Sequence, residues 1–382
     1  MSTLIRGATM IDGTSGDVLV VDGRIAAVGV DASAATGARQ LDADALLLAP
    51  GFIDVQVNGA MGFDFTADPP AMWRAGEELA RHGVTSFLAT IISAPRGTID
   101  AAIESWRSRP AGAAPGAIPI GLHLEGPFLS PGRAGAHPAG HLRMPDAAEA
   151  ADWSPDAGVW MVTLAPELPG AVPLAKELAG RGVIVAAGHS EATTDEARAA
   201  FDAGARYVTH LWNAMAPLEH RAPGLIGAAL TDQRVTVGLI GDGVHVAPEI
   251  LEVTWHAAAG RVSLVSDAMA GLGMAPGEHR LGEREVTVNG AGAHLADGTL
   301  AGSVAGLDAG LRCLTTATGA GVAEVLHAVT SVPARLLGLT DGRGGIRVGG
   351  RADLVLLTSE LEVASTLVAG EVAWAAEDLR WR

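Results

Sequence analysis

The chain has 382 residues, 48% hydrophobic and 18% charged, with a formal net charge of −17. This composition excludes a disordered chain, and the acidic balance argues against a nucleic-acid partner. No apolar run reaches the roughly 18 residues of a spanning helix, MSTLIRGATM lacks the apolar core of a secretion signal, and the single cysteine, Cys313, excludes internal disulfides and fits a reducing cytoplasm.

Residues 1–49 open with TLIRGATMID, DVLVVDGRIAAVG and ARQLDADALLLAP, short β-like pieces punctuated by Gly or Asp. Residues 343–382 repeat that texture in IRVGGRADLVLLT and VASTLVAGEVAW. The two flanks are expected to form one small β-sandwich domain. Residues 50–342 have another rhythm. GFIDVQVNG, VTSFLATII, AIPIGLHLE, VWMVTLAPE, VIVAAGHS, RYVTHLWN, VTVGLIGDG and VSLVSDAM are apolar runs, and most are separated by helix-like segments such as GAVPLAKELAGRG and TTDEARAAFDAGA. Near-continuous apolar strands alternating with helices indicate a parallel sheet covered on both faces. Eight such units predict an α/β fold of the (β/α)8 TIM-like type. An open doubly wound sheet is the alternative, weakened because no G-x-G-x-x-G follows the first strand.

Barrel chemistry sits at the C-terminal strand ends. The third strand ends in GLHLEGP, placing Glu125 where a buried run finishes. A lone buried carboxylate is costly, so Glu125 is either solvated or holds a cation. The fifth strand ends in GHS with His189, the sixth in THLWNAM with His210 and the eighth in VSDAM with Asp267. One Glu and two His suit one divalent metal per chain, zinc or ferrous iron, with a position left for water. Asp267 reads as a fourth ligand, a general base or, structurally, a helix N-cap. The first strand ends in DVQVNG. Gln56 and Asn58 are poor ligands, so a second metal is not expected. The only lysine, Lys176, lies in a helix-like segment and offers no bridging or Schiff-base group. His123 alternates with Glu125 and points to the same side. Trp212 is a candidate for the pocket wall. His82, His256 and His327 read as solvated or capping residues.

GLHLEGPF, GHSEAT, THLWNAM, APGLIG, GDGVHV and VSDAM occur in that order. Together they resemble the N-acetylglucosamine-6-phosphate deacetylase family of the amidohydrolase superfamily, from PGFIDVQVNG at residue 50 to GRADLVLL near 356. The resemblance implies that Glu125, His189 and His210 bind the metal and that Asp267 is general base and acid. It implies that His137, in GRAGAHPAG, polarises the amide carbonyl. Arg221 and His245 would bind the sugar phosphate, Arg221 reaching into the neighbouring subunit of a homodimer. Asn213 and Ala214 would contact the substrate, a phosphorylated amino sugar. The chain departs from the family in Glu191, where Asn is common, in an extra His141, and in the IISAPRGT loop. The implied reaction is hydrolysis of an N-acetyl amide to acetate and the free amine. The rival readings are a related amidohydrolase acting on another N-acyl sugar or amino acid, and a non-enzymatic barrel serving assembly.

Overall fold

Phe52–Val57 (β1), Val84–Ile92 (β2), Ile118–Glu125 (β3), Val159–Leu164 (β4), Ile184–Ala187 (β5), Tyr207–Val208 (β6), Thr236–Ile240 (β7) and Val262–Val265 (β8) lie side by side in chain order, every neighbour parallel. The computed structural model describes residues 2–30, 35, 37–110, 116–289, 292–377 and 379. Almost every strand residue is buried, because helices cover the outer face and side chains fill the inner one. The ring closes just past β8, where Val57 bridges Ala268 and the Asp267 N–H donates to the Gln56 carbonyl at 3.0 Å. The predicted barrel is therefore present, and each apolar run supplies one strand.

Local sequence fixes where the chain leaves the barrel. After β5, Thr193 caps the helix Thr194–Asp202 and Glu196 reaches back to the Thr193 N–H, a reciprocal capping box. Such a cap stabilises a helix by about 1 kcal/mol, and it ends the short loop that carries His189.

The chain ends meet in one eight-stranded, sandwich-like sheet. Leu47–Pro50 pairs in parallel with Ser2–Met10 on one side and antiparallel with Leu354–Leu357 on the other. Alternation along Leu354–Leu357 serves two cores at once. Leu354 and Leu356 join the domain's own cluster with Ile5, Val20 and Leu41, whereas Val355 and Leu357 pack into the barrel cluster. The period of two side chains per strand repeat makes this possible.

One segment was not anticipated. Gly277–Leu281, Arg284–Asn289 and Gly292–His294 form a three-stranded antiparallel ribbon after β8. Its first turn is the two-residue Gly282-Glu283 connection, and the alternation in EREVTVN was a readable hairpin signal.

His82, read as solvated or capping, is half-buried at the C-terminal end of the helix Gly76–Arg81 and is paired. Its Nδ1 lies 2.7 Å from Asp308 and its Nε2 3.5 Å from Glu78, tying the barrel's first helical layer to the helix Leu307–Thr318. Gly306 permits the approach, since a Cβ there would lie 2.1 Å from the His82 ring. Burial opposes the charged ring, but hydrogen bonds to Asp308 and Glu78 outweigh it and raise His82 to about 9. A pKa raised on folding stabilises fully below the unfolded value near 6.5, and the gain vanishes as pH rises through about 9. His82→Gln should thus cost on the order of 2 kcal/mol at pH 6, with the gap from wild type closing by pH 9.5 in urea titrations. A gap that does not change with pH would refute the charged pairing.

Candidate active site

The ends of β3, β5, β6 and β8 converge on one cavity of about 240 Å³, lined by Glu125, His137, His189, His210, Asn213, Ala214, His245 and Asp267 among others. Eight of the nine site residues predicted from sequence are thereby brought together. The ninth, Arg221, is exposed and does not line the cavity. His189, His210 and Asp267 all have positive φ, 47°, 30° and 49°. The left-handed region costs a non-glycine residue about 1 kcal/mol or more. Here it turns the chain sharply off each strand.

Glu125, His189 and His210 place one ligand atom each within 4.8 Å of one another, all buried. Glu125 Oε1 is 2.9 Å from His210 Nε2 and 3.3 Å from His189 Nε2. His189 Nδ1 donates to the Arg133 carbonyl at 2.8 Å, which leaves its Nε2 lone pair facing the other two donors. Burial, and then His137, push His189 down to about 4, so the ring is neutral, the ligating form. Burial would raise Glu125, but contacts with His137, His189 and His210 outweigh it and hold the carboxyl well below its ordinary range. Burial likewise opposes a charged His210, yet Glu125 overrides it and raises that ring. The three groups are organised around positive charge, and a divalent cation fits them.

Asp267 is no helix cap. The next helix in the chain begins at Leu307. Its Oδ1 instead accepts from Gln56 Nε2 at 3.0 Å and Asn58 Nδ2 at 2.8 Å. Gln56 Nε2 also donates to Glu125 Oε1 at 3.0 Å. The amides of Gln56 on β1 and of Asn58 just past its end therefore act as donors to the site's carboxylates, a role that sequence reasoning missed. β1 carries a register shift between Asp54 and Val57. Buried Asp54 stabilises it by accepting the Gln56 N–H at 3.1 Å and the Ser266 N–H at 3.1 Å. Such a bulge re-aims the side chains beside it. Burial first, and then the Glu125 charge, push Asp267 up to about 6.

His137 Nδ1 accepts the Ser93 N–H at 3.1 Å. A backbone N–H can only donate, so the ring proton sits on Nε2, which lies 3.8 Å from Glu125 Oε2. His137 thus presents a donor at the triad. His141 turns away to Glu283 at 3.4 Å. His245 Nδ1 donates to Asp242 at 2.7 Å, and Ser303 holds the same carboxylate oxygen at 2.9 Å. Burial would raise Asp242, but the His245 hydrogen bond holds it down at about 2. His123 is buried under the site, bonded to Thr163 at 2.7 Å, and burial lowers it to about 4. Trp212 does not line the cavity: its indole donates to Thr254 at 2.8 Å. Glu191 pairs with Arg133 at 3.5 Å, in the loop whose carbonyl fixes His189. The ribbon adds Leu281, and the segment after it adds Thr299, Leu300 and Gly302 to the cavity wall.

Residues 47–373 match the amidohydrolase family. An N-acetylglucosamine-6-phosphate deacetylase of Bos taurus is 38% identical over 356 residues, 90% of this chain and 87% of that protein. An N-acetylgalactosamine-6-phosphate deacetylase of Escherichia coli O157:H7 is 39% identical over 333 residues, 86% and 88% of the two chains. A solved mutant of N-acetyl-D-glucosamine-6-phosphate deacetylase from Mycobacterium smegmatis, in complex with N-acetyl-D-glucosamine-6-phosphate, superposes with TM-score 0.89 at 37% identity, covering 97% of this chain and 99% of that one. A barrel that merely assembles is not favoured by such kinship or by an intact triad. The strand-end constellation and these likenesses agree, and the chain belongs to the amidohydrolase family, among its N-acetylglucosamine-6-phosphate deacetylases.

Proposed function

We propose that this protein hydrolyses the N-acetyl amide of N-acetylglucosamine 6-phosphate, giving glucosamine 6-phosphate and acetate. The observation that carries the reading is the meeting of Glu125, His189, His210, His137 and Asp267 at one cavity. Glu125, His189 and His210 would hold one divalent cation, zinc or ferrous iron, whose Lewis acidity polarises the carbonyl and makes water a better nucleophile. Asp267 takes the proton of the attacking water, steadied by Gln56 and Asn58, and returns it to the amine leaving group. The His137 Nε2–H donates to the carbonyl oxygen as negative charge develops there. Asn213, Ala214 and His245 face the sugar phosphate, with His245 held by Asp242.

Arg221 is assigned to the phosphate of a neighbouring subunit's site. Its exposure outside its own cavity supports that placing. The active protein is then a homodimer. A reducing, cytoplasmic setting suits the single cysteine, and no helix among the described residues is long and apolar enough to cross a membrane. Residues 1–49 and 343–382 are taken as the small domain and 50–342 as the catalytic barrel.

Acetate release tests the reading. Turnover of the 6-phosphorylated sugar should far exceed that of N-acetylglucosamine, with the C4 epimer N-acetylgalactosamine 6-phosphate as comparison substrate. A guanidinium grips phosphate through two parallel hydrogen bonds. Arg221→Ala should therefore raise KM for the phosphorylated sugar roughly 10–100-fold, as expected for losing about 1.5–3 kcal/mol of charged hydrogen bonding, and spare the plain sugar. Mixed dimers of Arg221→Ala and Asp267→Asn chains should regain activity, since one site then holds both native residues. Equal loss on both sugars would sink the phosphate role. No regain in verified mixed dimers would return Arg221 to its own subunit.

A further inference from the structure

Behind the catalytic cavity lies a second one of about 270 Å³, lined by Thr66, Ser93, Thr98, Pro138, Arg280 and Gly282 among others. Ile92, the last residue of β2, lines both, and no other residue does among those described. The partition is completed where the chain passes from one cavity to the other, at His137-Pro138 and Leu281-Gly282.

The direction of this wall matters. In a closed ring of eight strands β2 stands opposite β6. Asn213 and Ala214 follow β6 and His245 follows β7, so on the reading above the sugar lies on that side. A secondary amide is trans, so its two carbon substituents point in opposite directions. With the sugar toward β6 and β7, the acyl chain points toward β2. What it meets there is apolar: Ile92, Ala136 and Leu281.

We propose that Ile92, backed by Leu281, is the wall that restricts this enzyme to short acyl groups, acetyl above all. This rests on the deacetylase reading and deepens it. The wall is held at several points. Thr66 Oγ1 accepts the Ile92 N–H at 3.1 Å, and buried Asp64 accepts the N–H groups of Thr66, Ala67 and Gly282. Gly282 sits at φ +57 and so close that a Cβ there would lie 3.1 Å from Ile92 Cδ1. A backbone pinned from both sides cannot retreat, so extra methylenes overpack it. The space they need exists, but on the far side of Ile92.

The test uses the metal-loaded enzyme and the N-acetyl, N-propanoyl and N-butanoyl forms of glucosamine 6-phosphate. For wild type, kcat/KM should fall about tenfold or more per added methylene, at the low end of what one methylene decides in a tight pocket. Ile92→Ala should raise the butanoyl-to-acetyl ratio about tenfold or more by joining the cavities, and Ile92→Val should fall between. Leu281→Ala should shift the ratio in the same direction, which keeps the test alive if Ile92→Ala melts too low to assay. Ile240→Val, at the end of β7, trims the opposite side and should leave the ratio alone. Wild type that takes butanoyl as well as acetyl overturns the wall. So do folded Ile92 and Leu281 variants with an unchanged ratio. If wild type released no acetate from the phosphorylated sugar, the deacetylase reading would itself fall, an outcome separate from an active enzyme with an unselective wall.

Discussion

Asp267→Asn is expected to lower turnover about 10²–10⁴-fold, the range spanned by a positioned acid-base group, while leaving the fold at least as stable. Asn has the same shape, and its carbonyl oxygen can accept from Gln56 and Asn58 as Asp267 Oδ1 does. What it cannot do is take a proton. Stability should move the other way. Burial and the Glu125 charge raise the Asp267 carboxyl to about 6. A carboxylate whose pKa is raised on folding opposes the fold once pH exceeds its unfolded value near 4, and fully so above pH 6. The neutral Asn removes that cost. Melting of metal-depleted protein at pH 7.5 should therefore rise or stay level while the loaded enzyme loses its rate. A lower melting temperature with turnover intact would mark Asp267 as structural.

Glu125→Gln should be as damaging by another route. Wild type is expected to bind close to one divalent metal per chain, because Gln56 and Asn58 give amides, not imidazoles, where a second ion would sit. Glu125 is the only anionic member of the triad, and both imidazoles face its Oε1. Removing its charge leaves two neutral donors. Elemental analysis after dialysis should then find less than about a tenth of the wild-type metal, and turnover should fall about 10³-fold or more, the scale of several kcal/mol of lost charge stabilisation. Chelating wild type should abolish activity, and one equivalent of metal should restore it. Two tightly bound metals, both required, would overturn the single-ion site. So would a Glu125→Gln enzyme that keeps its metal and its rate.

The strand-end constellation was legible because a buried strand has a simple grammar. Apolar residues fill most of it, and the polar residues at or just past its end stand at the barrel mouth. Glu125, His189, His210 and Asp267 each occupy such a position, so their convergence followed once the runs were counted as eight. The flanking domain was legible for a related reason. Leu354 to Leu357 and Leu47 to Pro50 read as strands from both ends, and neither can stand alone without a partner sheet.

The choices left open by the sequence depended on partners far away in the chain. From the sequence Asp267 could be base, ligand or cap, and the cap reading fell only when its Oδ1 was found held by Gln56 and Asn58, 211 and 209 residues distant. His82 read as solvated or capping in its helical stretch, yet its partner Asp308 is 226 residues on. Trp212 sits between two site residues but turns to Thr254 in the outer helix layer, because the positive φ values at His210 and Trp212 break the strand alternation there. The bulge in β1, the proton on Nε2 of His137 and the wall at Ile92 are likewise products of packing. Side-chain periodicity is a local property of the backbone, so the sequence alone determined the elements and what stands at their ends. Hydrogen-bond partners, tautomers and cavity walls depend on which distant groups share a buried volume, and only the tertiary structure decided them.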